Sequence, residues 1–119
     1  MKYEVYQMHL SDKVADEVNR LGHAGAAKVY PEYEAYQGTH FAGSKGFKST
    51  YLQYFNKVAE IEAQDLEQVF EIGNGYGDQT KITRLKRMHS VSVGDIVVAD
   101  DGRYMMVDSI GFNEVSVIK

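Results

Sequence analysis

The tightest constraint lies near the end of the chain. Residues 88–115, MHSVSVGDIVVADDGRYMMVDSIGFNEV, hold two apolar runs separated by Asp101-Gly102. Aspartate followed by glycine supplies the residue types that a tight hairpin with positive φ requires. Val91, Val93 and residues 96–99 are therefore predicted to form one strand, with 104–107 as its partner. Residues 108–111, DSIG, read as a second turn, and 115–118 as a third strand. A chain that ends in such a unit must spend the rest of its length covering a sheet.

The length of 119 residues suits one domain, large enough to bury a modest core without a metal or a covalent staple. Within it, 1–53 read as a strand, helices and a Gly/Phe loop, and 54–119 as the part built on the terminal hairpins. There is no cysteine, which excludes disulfides, thiolate metal sites and cysteine nucleophiles. No apolar run is long enough for a secretory signal or a bilayer span. A soluble, cytoplasmic protein without membrane contact is the expectation. Nine tyrosines with no tryptophan is an unusual balance. Tyrosine joins apolar area to a hydroxyl, and so favours half-buried surfaces and interfaces.

Residues 2–8 are rich in strand formers. Ser11 is placed to cap a helix over 12–21, with Val14, Val18 and Leu21 on one face and Gly22 as its stop. Residues 24–30 suit a second helical stretch, which Pro31 interrupts at Tyr30. Pro31 can then open a turn of helix carrying Tyr33 and Tyr36. Residues 38–50, GTHFAGSKGFKST, read as a glycine-rich loop whose Phe41 and Phe47 either pin it to the core or face a partner. A strand is expected over 54–62. Asp65 then caps a short helix with Leu66, Val69 and Phe70 on its buried face, ended by Gly73 or Gly75. Residues 73–78, GNGYGD, lack the strand and helix of a dinucleotide loop and read as turns. The sum is an α+β domain, a small and mainly antiparallel sheet with two or three helices packed on one face.

The second half, roughly 54–115, resembles the YodL-like domain. The matching pieces are DLEQVFEIGN (65–74), HSVSVGDIV (89–97), Tyr104 and VDSIGF (107–112), with a basic link between helix and strand entry. The resemblance implies the fold of that module and an origin in a phage or conjugative element. It brings no catalytic residues.

Two stretches stand out as candidate binding surfaces. Lys81, Arg84, Lys86 and Arg87, with His89, concentrate positive charge on a chain of net charge −4. They read either as a contact for phosphates or an acidic protein surface, or as an edge strand kept soluble by charge. Tyr30, Tyr33 and Tyr36 among Glu32 and Glu34 form an acidic, aromatic strip. It is either an interface or half-buried packing.

Chemistry has less to build on. Asp95, Asp100, Asp101 and Asp108 fall where turns are expected, and aspartate there bonds its own backbone. His9, His23, His40 and His89 are scattered, with no metal-binding spacing and no nucleophile elbow. No metal, cofactor or catalytic residue is expected. A site assembled from His40 and the terminal aspartates is the enzymatic alternative.

The leading expectation is a non-enzymatic phage or mobile-element protein that binds a host protein or protein–nucleic-acid complex in the cytoplasm, as an anti-defence inhibitor. The alternative is a nucleic-acid-binding accessory protein that uses 81–87, with Tyr76 stacking on bases. Homo-oligomerisation through an unpaired edge near 115–118 is a further expectation.

Overall fold

The computed structural model describes residues 1–117. It is built on six antiparallel strands in the order β3-β2-β1-β4-β5-β6. β1 (Lys2–Gln7) is central, between β2 (Asn56–Glu62) and β4 (Ile96–Val98). β5 (Tyr104–Val107) and β6 (Phe112–Glu114) extend one side, and β3 (Ile82–Arg84) closes the other. The register pairs Val5 with both Ala59 and Val97, and slips at Val58, a bulge that turns both Val58 and Ala59 into the core.

The expected α+β class and mainly antiparallel sheet are what form. The helices, however, divide between the two faces of the sheet where the expectation put them on one. α3 (Leu66–Gly73) buries Val69 and Ile72 against Tyr3, Val5, Ile61 and Val97. α2 (Pro31–Ala42) lies over the opposite face, its Ala35 and Tyr36 packing with Ile96, Val98 and Met106. The cause is legible in β4, where Ile96, Val97 and Val98 are all buried. Successive strand residues point to opposite faces, so an unbroken apolar run needs cover on both. α1 (Asp12–Val29) packs on α2 as an outer layer through Val14, Ala26 and Tyr33.

Local signals set the helix ends. The Ser11 hydroxyl accepts from Val14 N at 3.2 Å, and Asp65 Oδ1 from Gln68 N at 2.9 Å. Either contact satisfies an otherwise orphaned N–H. Gly22 breaks the helical path with φ 76 and ψ 170, but the chain resumes its helix at once and runs to Val29. Tyr30 is extended ahead of Pro31, as the proline ring demands.

Residues 38–50 are not the loop their glycines suggest. Residues 38–42 complete α2, and 3-10 turns follow at Gly43–Gly46 and Ser49–Tyr54. The glycines serve close packing. A Cβ on Gly46 would lie 2.2 Å from the Gly38 carbonyl oxygen. Phe47 is pinned, its ring 6.5 Å from Tyr51 and 6.4 Å from Phe55, whereas Phe41 stays exposed at 76%.

The terminal unit also departs in detail from the expectation. Val91 does not join β4, because it is buried under α3, where Gly73 leaves room for it. At the first hairpin only Gly102 takes positive φ. Gly102 N donates to the Ala99 carbonyl and Ala99 N to Arg103, a turn followed by a glycine bulge. The second turn closes with Asp108 N on the Gly111 carbonyl at 2.9 Å, so the ladder resumes immediately and β6 is 112–114. The strand expected at 115–118 is therefore displaced toward the turn, with Ile118 outside the described residues. In α3 Val69 and Ile72 are buried and Leu66 is half-buried on the same face; Phe70 lies beside them, 39% exposed, its ring against Phe112.

Candidate functional site

The basic link forms an open edge of the sheet. β3 pairs with β2 on one side only, Thr83 opposite Glu60, and Leu85 N donates to the Val58 carbonyl at 2.8 Å. Antiparallel alternation then turns the main-chain groups of Ile82 and Arg84 outward. Lys81, Arg84, Lys86 and Arg87 are all exposed, with Leu85 49% exposed among them. Among the described residues none of these four cations makes an ion pair. On the sheet beside them Lys57 is held between Glu4 and Glu60, so carboxylates are at hand elsewhere. Gln79 ties one end of the edge to the main chain of Tyr76, an exposed residue. Its Nε2 donates to the Tyr76 carbonyl at 2.9 Å, and Arg84 Nη2 lies 3.5 Å from its Oε1.

The tyrosine strip is brought onto one helix but not presented as a free surface. Tyr33 is buried between α1 and α2, its hydroxyl 2.5 Å from His23 Nδ1. Tyr36 is half-buried, and Tyr30 donates to Glu17 at 3.2 Å. Glu32 is half-buried and Glu34 exposed, the latter 3.5 Å from the Tyr51 hydroxyl. Rings continue along α2 from Tyr36 to His40, parallel within 7° and 5.3 Å apart, and then edge-on to Phe41.

A third locus carries the most concentrated polar chemistry, and the sequence reading missed most of it. At the end of β1 Gln7 is fully buried. Its Nε2 donates to Asp95 Oδ2 at 3.0 Å and to the His89 carbonyl at 2.9 Å, while its Oε1 accepts from His89 N at 3.2 Å. Asp95 Oδ2 also accepts from Ser92 N at 3.0 Å, the turn contact expected of an aspartate there. Burial, opposed by the Ser92 contact, His89 and Gln7, pushes the Asp95 carboxyl up to about 6. His89 Nδ1 lies 3.9 Å from Asp95 and 2.7 Å from the Ser90 carbonyl. The shorter contact requires the proton on Nδ1, so the 3.2 Å approach of Gln7 Nε2 to that nitrogen is no hydrogen bond. His9 meets His89 edge-on at 5.3 Å, and burial with the charges of His89 and Arg87 holds it below the usual imidazole value.

Of these groups His89, Ser92 and Asp95 border a concavity of about 170 Å³ between α2 and residues 89–95, with Tyr36, Thr39 and His40 on its other wall. Gly94 makes the close approach possible, since a Cβ there would lie 3.0 Å from the Thr39 carbonyl oxygen at a φ of 94°. The structure thus brings His40 to Asp95 but not to the other terminal aspartates. Asp100 and Asp101 sit at the first hairpin, bonded to Lys2 N and Arg103, and Asp108 accepts from Ser44 and Asn113. Among the described residues no group of three or more potential ligands could hold a metal ion, and no helix is long and apolar enough to cross a membrane.

Against known proteins, no family model, no curated protein and no solved structure matches the chain.

Proposed function

We propose that the chain is a non-enzymatic binding protein of a phage or mobile element. It occupies an acidic surface on a host macromolecule and so inhibits a host defence or nucleic-acid-processing enzyme. The observation that carries this reading is the β3 edge, where four exposed cations, none in an ion pair among the described residues, flank outward main-chain groups and the exposed Leu85. Charge of one sign on a protein surface steers and orients an oppositely charged partner, and an open sheet edge can accept an added strand. The mobile-element setting rests on the YodL-like resemblance of the second half. Affinity capture from a bacterial host lysate tests the reading: one partner recovered repeatedly supports it, and repeated recovery of nothing above background counts against it.

A second reading is nucleic-acid binding by the same edge, favoured by its exposed cations and by the exposed Tyr76, whose main-chain carbonyl is linked to Arg84 through Gln79. It predicts affinity for single strands that falls steeply with salt, because each neutralised phosphate releases counterions. Salt-insensitive binding would exclude it.

A further inference from the structure

We propose that copies of the chain join head to tail, the β3 edge of one adding to the β6 edge of the next and continuing the sheet. β6 is the other open edge, since it pairs with β5 alone. Asp108 N on the Gly111 carbonyl and Val115 N on the Tyr104 carbonyl mark the hydrogen-bonded positions of that pair. Alternation then turns the main-chain groups of Phe112 and Glu114 outward. On β3 the outward residues are Ile82 and Arg84, so the two edges offer their free groups at the same spacing. An open edge of this kind accepts another strand.

Three observations select a second copy as that strand. The first is direction. β3 and β6 stand an odd number of antiparallel steps apart, so they run in opposite senses. A copy set beside β6 in the same orientation therefore meets it antiparallel. The second is facing. Ile82 and Phe112 both pack with the core under α3, and residues two positions on share that face. Arg84 of one copy and Glu114 of the next thus lie on the same side of the continued sheet. The third is charge. Glu114 is exposed, and Glu67 lines a groove of about 410 Å³ with Phe70 and Phe112 between α3 and the β5–β6 turn. Neither carboxylate makes an ion pair among the described residues, and Arg103 beside Glu114 is already paired with Asp101. Setting Ile82 opposite Glu114 and Arg84 opposite Phe112 engages every outward group of both strands. It lays the Arg84 cation along the Phe112 ring, beside Glu67 and diagonal to Glu114. Like charges keep β3 from β3 and β6 from β6, so the contact is heterologous and does not close at two copies. A second copy and an acidic host surface compete for the β3 edge, but only the second copy uses β6.

Sedimentation equilibrium of the full chain, from about 10 μM to about 1 mM, tests the assembly. Two short strands make a small interface, so a monomer is expected at the low end and a mass rising past the dimer at the high end. Raised salt should lower that mass, because the paired charges are exposed. Glu114→Pro and Arg84→Pro each remove one outward N–H and spare the inward ladder, a position where edge strands tolerate proline. Each variant alone should stay monomeric. An equimolar mixture should form a dimer and stop there, since one free β3 edge then meets one free β6 edge. Melting curves matching the wild type show that the fold is kept. Where a proline variant melts early, Arg84→Glu and Glu114→Lys at the same exposed positions replace the pair, with the same mixing result expected. Glu114→Pro leaves the β3 edge open, so capture of a host partner by that variant is unaffected by whether copies associate, and the two readings fail separately. A wild-type monomer at about 1 mM, a closed dimer that survives Glu114→Pro, or a mixture that stays monomeric would overturn the proposal.

Discussion

Gln7 Nε2 donates to Asp95 Oδ2 at 3.0 Å, joining the last residue of the central strand to a carboxylate 88 positions later. The same carboxamide makes two hydrogen bonds with the main chain of His89, so one side chain holds the entry to β4 against β1. Gln7→Leu keeps much of the volume but leaves a carboxylate oxygen and two main-chain groups poorly satisfied. A loss of about 3 kcal/mol in urea denaturation is expected, and a loss below about 1 kcal/mol would contradict the clamp.

Gly43 and Asp108 form a second long-range contact. Asp108 accepts from Ser44 N at 2.7 Å and Ser44 Oγ at 2.6 Å, fixing the end of α2 to the β5–β6 turn. A Cβ on Gly43 would lie 1.8 Å from Asp108 Oδ1, at a φ of 60° and ψ of −135° that side chains avoid. Gly43→Ala is expected to cost roughly 2–4 kcal/mol. Adding Asp108→Ala relieves the collision and leaves only the backbone strain, so the double variant should lose less than the sum of the singles. Additive losses would argue against the contact.

The pH dependence of stability follows from the same carboxylates, with opposite signs. Burial raises Asp108 as well, but the hydrogen bonds from Ser44 and Asn113 together leave it lowered. Its contribution is present above the ordinary carboxylate range and lost as pH falls through the depressed value. Asp95, raised from 3.8 to about 6, does the reverse. The folded chain holds that proton between the two values and the unfolded chain does not, so stability falls as pH rises through about 6. His89, the adjacent Arg87 and His9, and His40 across the concavity are the charged or titratable groups around it. Asp95→Asn cannot ionise. Relative to the wild type it should gain up to about 3 kcal/mol between about pH 4 and pH 7. Thermal melts of the pair across that range check this, and a pH-independent difference would refute it.

Much of the fold was legible because the deciding signals are local. Ser11, Asp65 and Pro31 mark helix starts through contacts within four residues, and Gly102 and Gly111 close turns whose geometry few other residues accept. The unbroken apolar run of Ile96, Val97 and Val98 carries the signal for two-sided burial, although the helices were expected on one face. Residues 38–50 were not, since a glycine chosen for close packing, as at Gly38 and Gly46, looks in sequence like one chosen for flexibility. The site divides the same way. The exposure of 81–87 follows from charge, whereas Tyr33 is half apolar and half polar, and only the packing of α1 decides that it is buried. Nothing local links Gln7 to Asp95. A turn accounts for the aspartate well enough to hide its second partner.

The β3 edge is the central claim, and its most direct test is a paired affinity capture. Tagged wild type and a variant with Arg84→Glu, Lys86→Glu and Arg87→Glu are passed through the same host lysate, with and without nuclease. All three positions are exposed, so matching melting curves establish that only the surface has changed. The prediction is a single partner retained by the wild type, insensitive to nuclease and lost from the variant. Undiminished recovery by the charge-reversed chain would contradict the assignment of the edge as the binding surface.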